Sequence, residues 1–78
     1  MNLSNIENLK QYKHIHLIGI GGISMSGIAE VLHNWGIFVT GSDCTKTKIT
    51  DRLTSHGIFV SIGHNTNLVE KAHFVIYS

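Results

Sequence analysis

The spacing of apolar positions changes several times along the chain, and each change marks an element. Ile15 to Ile20 is a short, nearly continuous apolar run that stops at glycine, the pattern of a strand covered on both faces in a parallel sheet. The period then turns helical. Met25, Ile28, Ala29 and Leu32 fall at i, i+3, i+4 and i+7, giving one stripe able to lie on that sheet. Gly36 closes this helix as a left-handed C-cap. The segment Gly36-Ile37-Phe38-Val39-Thr40 recurs as Gly57-Ile58-Phe59-Val60-Ser61 across a helix-sized interval in which Ile49 and Leu53 stand four apart. The repeating unit is helix, glycine, strand. A short helix around residues 67–72 and a fourth strand over residues 73–77 continue the alternation. Ahead of it all, Ser4-x-x-Glu7 before Leu9 has the form of a capping box and predicts a lead-in helix over residues 4–11.

Strands alternating with helices at these lengths demand right-handed crossovers. The expectation is an α/β fold: a Rossmann-like open parallel sheet of about four strands with helices on both faces, in three layers, forming one domain over residues 1–78. No proline or low-complexity tract interrupts it. Ser78 follows the last strand with no helix to cover it, so we expect a larger protein to continue from there.

Composition narrows the class. At 78 residues the chain is near the size at which a single core is only marginally sufficient. Charged residues are few and the formal net charge is +1, which leaves no electrostatic footprint for nucleic acid. No apolar run approaches the roughly 20 residues of a membrane span, and the N-terminus lacks the layout of a secretory signal. The single cysteine, Cys44, cannot form an internal disulfide and suits a reducing compartment. Together these read as a cytoplasmic protein with neither nucleic acid nor membrane as partner, and Cys44 as an ordinary loop residue.

Candidate chemistry gathers at the strand ends. Gly19-Ile-Gly21-Gly22-Ile23-Ser24 matches the first two glycines of the G-x-G-x-x-G fingerprint, with Ser24 where the third glycine belongs. Such a loop lets backbone N–H groups approach a diphosphate, and the helix behind it aims its positive end at the same place. A tight β–α turn needing positive φ is the structural alternative. In open parallel sheets ligands bind beyond the carboxyl ends of strands, so Gly41-Ser42-Asp43, Gly63-His64 and Ser78 are the other residues of interest. Asp43 stands where a carboxylate meets ribose hydroxyls, or serves as a turn cap. His64 is a phosphate or base donor, or an exposed loop histidine. His14 and His16 alternate on one strand face without a cysteine or carboxylate to complete a metal site. Trp35 and Met25 read as helix packing, although Met25 at the loop exit is within reach of a ligand. No P-loop, nucleophile elbow or acid/base pair is present, so no catalytic residue and no metal ligand is assigned.

The run His16-Leu-Ile-Gly-Ile-Gly-Gly-Ile-Ser-Met-Ser-Gly-Ile-Ala-Glu-Val-Leu32, followed by Val39-Thr-Gly-Ser-Asp43 and Gly63-His64, resembles the N-terminal domain of the Mur ligase family of bacterial peptidoglycan synthesis. The likeness spans residues 14–78 and is closest to members that add L-alanine to UDP-N-acetylmuramate. Ser24 departs from the glycine often found there. The resemblance implies that this domain holds the UDP part of UDP-N-acetylmuramate through Gly21, Gly22, Ile23, Ser24, Met25, Ser42, Asp43, His64 and Ser78. It also implies that ATP and Mg²⁺ are held by a second domain and L-alanine with help from a third. In that chemistry ATP phosphorylates the muramate carboxylate and the alanine amine displaces phosphate, so this chain alone is expected to be inactive. The alternatives are a NAD-binding module of a dehydrogenase or regulatory protein, the sister ligase that attaches a recycled tripeptide, and a fragment without affinity.

Overall fold

In a computed structural model that describes residues 3–63 and 65–77, the chain opens with a 3-10 segment, Leu3–Gln11. It then alternates β1 (His14–Ile18), α1 (Ile23–Asn34), β2 (Phe38–Asp43), α2 (Lys48–Ser55), β3 (Phe59–Ile62), α3 (Thr66–Lys71) and β4 (Phe74–Ile76). The four strands pair in the order β3-β2-β1-β4, all parallel. Successive right-handed crossovers lead from β1 to β2 and onward to β3, so α1 and α2 share one face, where they touch each other. The return from β3 to β4 runs the opposite way along the sheet and puts α3 on the other. The result is the expected three-layer α/β arrangement.

The core lies between the sheet and the α1–α2 layer. Ile15, Leu17, Ala29, Leu32 and Leu53 have no exposed surface, and Val39 and Ile58 almost none. Both repeats of the helix–glycine–strand unit end their helix in the same way. Gly36 (φ +86°) and Gly57 (φ +93°) take the left-handed conformation. The next residue folds back, Ile37 N–H donating to the Leu32 carbonyl (3.2 Å) and Ile58 N–H to the Leu53 carbonyl (3.1 Å). This six-to-one bond buries an isoleucine against the leucine it bonds, the apolar contact that goes with such caps. Sequence repetition here reflects a repeated physical stop signal.

Two boundaries differ from expectation. β1 ends at Ile18, because Gly19 turns with φ +78° and sends Ile20 back over the sheet instead of along the strand. Ile20 is fully buried and sits where a side chain on Gly41 would be. The segment Gly41-Ser42-Asp43 lies inside β2, paired with Leu17 and Ile18 on one side and with residues 60–62 on the other, and does not follow the strand as expected. The lead-in is a 3-10 helix. Ile6, Leu9 and Tyr12, which pack on the core, recur every third residue, and three residues per turn align them in one row. Among the described residues no helix is long and apolar enough to cross a membrane.

Candidate nucleotide site

The carboxyl ends of three strands converge on one cleft of about 310 Å³, lined by Ile18, Gly19, Ser42, Asp43, Cys44 and Gly63. The glycine loop borders it. After Ile18 pairs with Ser42, the Ser42 carbonyl accepts the N–H groups of Gly19 (2.8 Å) and Ile20 (3.1 Å), which fastens the loop to β2. Gly22 N–H donates to the Gly19 carbonyl at 3.1 Å, and Ser26 N–H makes the first helical bond, to the Gly22 carbonyl, at 2.8 Å.

That leaves the N–H groups of Ile23, Ser24 and Met25 as the first-turn donors with no helical carbonyl to meet. Gly22 caps the helix in extended conformation and supplies no side-chain cap. Ser26, one turn in, spends its hydroxyl on the Ile23 carbonyl (3.0 Å). The helix start therefore faces outward with its positive dipole end unopposed by its own side chains. Ile23, Ser24 and Gly22 are exposed. The Met25 side chain is buried in the core, in keeping with its reading as helix packing, and its backbone N–H is what it offers a ligand at the helix start.

Asp43 does structural work in this arrangement. Its Oδ2 accepts the Gly21 N–H at 2.8 Å and its Oδ1 the Thr45 N–H at 3.4 Å, so one carboxylate ties the glycine loop to the end of β2. Of the amides expected to meet a pyrophosphate, that of Gly21 is thus engaged within the chain. Gly21 is also crowded, since a Cβ there would lie 2.8 Å from Asp43 Oδ2 and 3.0 Å from the Thr50 methyl.

Gly22 is the contrasting case. Its backbone (φ −66°, ψ 154°) is one that any residue adopts, and a Cβ would meet only ordinary contacts, the nearest being the Gly19 carbonyl at 3.5 Å. The fold does not demand glycine at this position.

Of the residues singled out from the sequence, the structure brings Ser42 and Asp43 into the cleft, with Gly21, Gly22, Ile23, Ser24 and Met25 on the loop and helix start beside it. His64 and Ser78 lie outside the described residues. Gly19 and Gly63 belong to segments of interest from the sequence, whereas Ile18 and Cys44 were not singled out as ligand-lining. Their position after or at a strand end was the available signal. Trp35 packs on the core with the Lys10 ammonium 4.5 Å from its ring centroid. His14 and His16 both bond Thr40.

A parallel sheet with helices on both faces and a glycine loop opening a helix at the strand ends defines a Rossmann-like class of α/β domain. Comparison with known proteins narrows this further. Residues 14–78 match the Mur ligase family, catalytic domain. A Paraburkholderia phytofirmans protein named UDP-N-acetylmuramate–L-alanine ligase is 54% identical over 66 residues, covering 85% of this chain and 14% of that protein. Its namesake from Acetivibrio thermocellus is 44% identical over all 78 residues, which is 17% of its length. Among solved structures, a murein peptide ligase from Psychrobacter arcticus superposes with a TM-score of 0.76 at 27% identity, over 83% of this chain and 14% of that one. The chain belongs to the Mur ligase family. It spans about a seventh of the length of the relatives it matches.

Proposed function

We propose that this chain binds the UDP part of UDP-N-acetylmuramate within a ligase that joins L-alanine to the muramate carboxylate. The observation that carries the reading is Gly22: an exposed glycine at the uncapped start of α1, with ordinary backbone angles and room for a methyl group. A residue kept free of a side chain for no internal reason is explained by a group that approaches its backbone from outside. A diphosphate fits, because the adjacent N–H groups of Ile23, Ser24 and Met25 and the helix dipole all favour an anion there. Ser42 and the outer edge of Asp43, in the cleft next to this anion site, then face the nucleoside.

Holding UDP fixes the far end of a substrate whose carboxylate reacts elsewhere, so binding energy gathered here serves orientation there. We assign neither ATP nor Mg²⁺ to these residues. The sequence has no P-loop, and no three His, Cys, Asp or Glu side chains gather as metal ligands among the described residues. Those groups would be held by parts of the ligase outside these 78 residues, and we expect no ligation by this chain alone. The reducing, cytoplasmic setting inferred from Cys44 suits such an enzyme.

The tripeptide-adding reading has the murein peptide ligase structure in its favour. The higher identity of the L-alanine ligases, 44–54% against 27%, favours L-alanine. Calorimetric titration with UDP-N-acetylmuramate, UDP and NAD⁺ tests the ligand class. Saturable binding of both uridine nucleotides and none of NAD⁺ is expected, and the reverse pattern would overturn the reading.

A further inference from the structure

Hydrogen bonds fasten the glycine loop to β2. The Ser42 carbonyl accepts from Gly19 and Ile20, and Asp43 Oδ2 accepts the Gly21 N–H. From α2 it is Thr50 that reaches the same loop. A Cβ on Gly21 would lie 2.8 Å from Asp43 Oδ2 and 3.0 Å from the Thr50 methyl carbon, so a carboxylate and a methyl group close in the Gly21 α-carbon with no room for a side chain. Thr50 is 2% exposed and has no surface to offer a ligand.

The direction of that methyl group is fixed by the other branch of the same side chain. Thr50 Oγ1 accepts the Thr47 N–H at 2.8 Å and donates to the Thr47 carbonyl at 2.9 Å. A β-branched side chain held at χ1 through its oxygen has its methyl group held as well. The hydroxyl thus serves the cap of α2, while the methyl group serves the loop. Both bonds of the hydroxyl go to the Thr47 backbone, so the Thr47 side chain adds only its own bond from the Thr50 N–H, at 3.3 Å. Gly21 stands two residues before Ile23, where the N–H groups free for an anion begin. Glycine backbone is the most mobile of all, and a loop with glycine at 19, 21 and 22 needs an outside hold if those donors are to be aimed before a ligand arrives.

Resting on the proposed uridine nucleotide, we propose that Thr50 is a positioning residue for the diphosphate site: its methyl group confines Gly21 against Asp43 and so holds the start of α1 in binding geometry without touching the ligand. A loop ordered in advance spares the ligand the cost of ordering it. One buried threonine of α2 therefore has two separable duties, stability through its oxygen and affinity through its methyl carbon.

Three variants separate the two duties. Thr50→Ser keeps the hydroxyl with its bonds to Thr47 and removes the methyl group. Thr50→Val restores the methyl group and removes the hydroxyl, and Thr47→Ala weakens the cap while leaving Thr50 whole. UDP affinity and melting temperature are measured on each, with titrations well below every melting transition. Thr50→Ser is expected to bind UDP about threefold to tenfold more weakly, the cost of ordering one loop contact on binding, and Thr50→Val to recover affinity to within about twofold of the parent. Thr47→Ala should melt lower and bind as the parent does. Unchanged affinity in Thr50→Ser, or affinity that simply follows melting temperature across the three variants, overturns the proposal. Amide hydrogen exchange at Gly21 in the ligand-free protein is a second readout that needs no nucleotide. Faster exchange in Thr50→Ser than in Thr47→Ala and Thr50→Val is expected, and equal protection in all three contradicts the confinement of the loop. Failure of the parent to bind UDP, with that exchange pattern in place, would remove the uridine occupant while leaving Thr50 as the hold on the loop.

Discussion

Single glycines carry opposite meanings in this chain, and the difference is decided by what a methyl group would meet. At Gly41 an added Cβ collides with Ile20, the residue that folds back from the end of β1. Gly41→Ala is expected to destabilise the protein by about 1–3 kcal/mol through overpacking. In an Ile20→Ala background most of that penalty should vanish, because the two changes share one site. Chemical denaturation of both singles and the double variant checks this, and additive losses would refute the contact. Asp43 is a second case, where the expected ligand carboxylate also closes the glycine loop. Because Asp43 Oδ2 holds the Gly21 N–H and Oδ1 faces Thr45, Asp43→Ala is expected to weaken nucleotide binding and lower the melting temperature together. A pure ligand contact would lower affinity alone.

Elements were legible wherever local chemistry and packing ask for the same thing. The stripe on α1, the repeated glycine caps and the continuous apolar character of β1 all act through one residue's neighbours in sequence, so spacing reveals them. What spacing did not reveal depends on tertiary contact. The register of β2, paired on both sides, draws Ser42 and Asp43 into the strand, and Ile20 leaves the strand because Gly41 opens a hole for it. The 3-10 lead-in was written in the sequence as apolar residues every third position, a signal masked by its capping-box motif. His16 reads as part of an apolar run because its partners, Thr40 and Ser42, lie on another strand. α2 supplies an element-scale test. Thr47 caps it in a box with Thr50, each side chain accepting the other's backbone N–H at 3.3 and 2.8 Å. Thr47→Ala should cost about 0.5–2 kcal/mol, read as a lower melting temperature, with Thr47→Ser recovering most of it.

At the scale of the molecule the two faces of the sheet differ. The α1–α2 face holds the apolar core, while the other mixes His14, His16, Thr40, Ser42 and Ser61 with the exposed Ile18, Phe38 and Phe59, a more polar lining than is usual for a parallel sheet. That asymmetry gives stability a pH dependence. Burial, with His73 next, depresses the His14 pKa below 6.5, so below that pH the unfolded chain binds a proton that the folded chain resists. Stability is full above about pH 6.5 and falls as the pH drops toward the lower folded pKa. Melting curves between pH 7.5 and 5.5 should show this decline, with a shallower slope in His14→Gln. An equal slope in the variant would assign the effect to other groups.

The same polar face and the glycine loop meet at one cleft, and the account of function stands on what Gly22 leaves room for. The direct test is the affinity of UDP-N-acetylmuramate for the protein and for Gly22→Ala, measured on samples with matched melting curves. The backbone at Gly22 accepts alanine, so stability is expected to stay within about 0.5 kcal/mol, the range of ordinary surface substitutions, while affinity falls at least tenfold. Unchanged affinity in a folded Gly22→Ala protein would contradict a diphosphate at the start of α1.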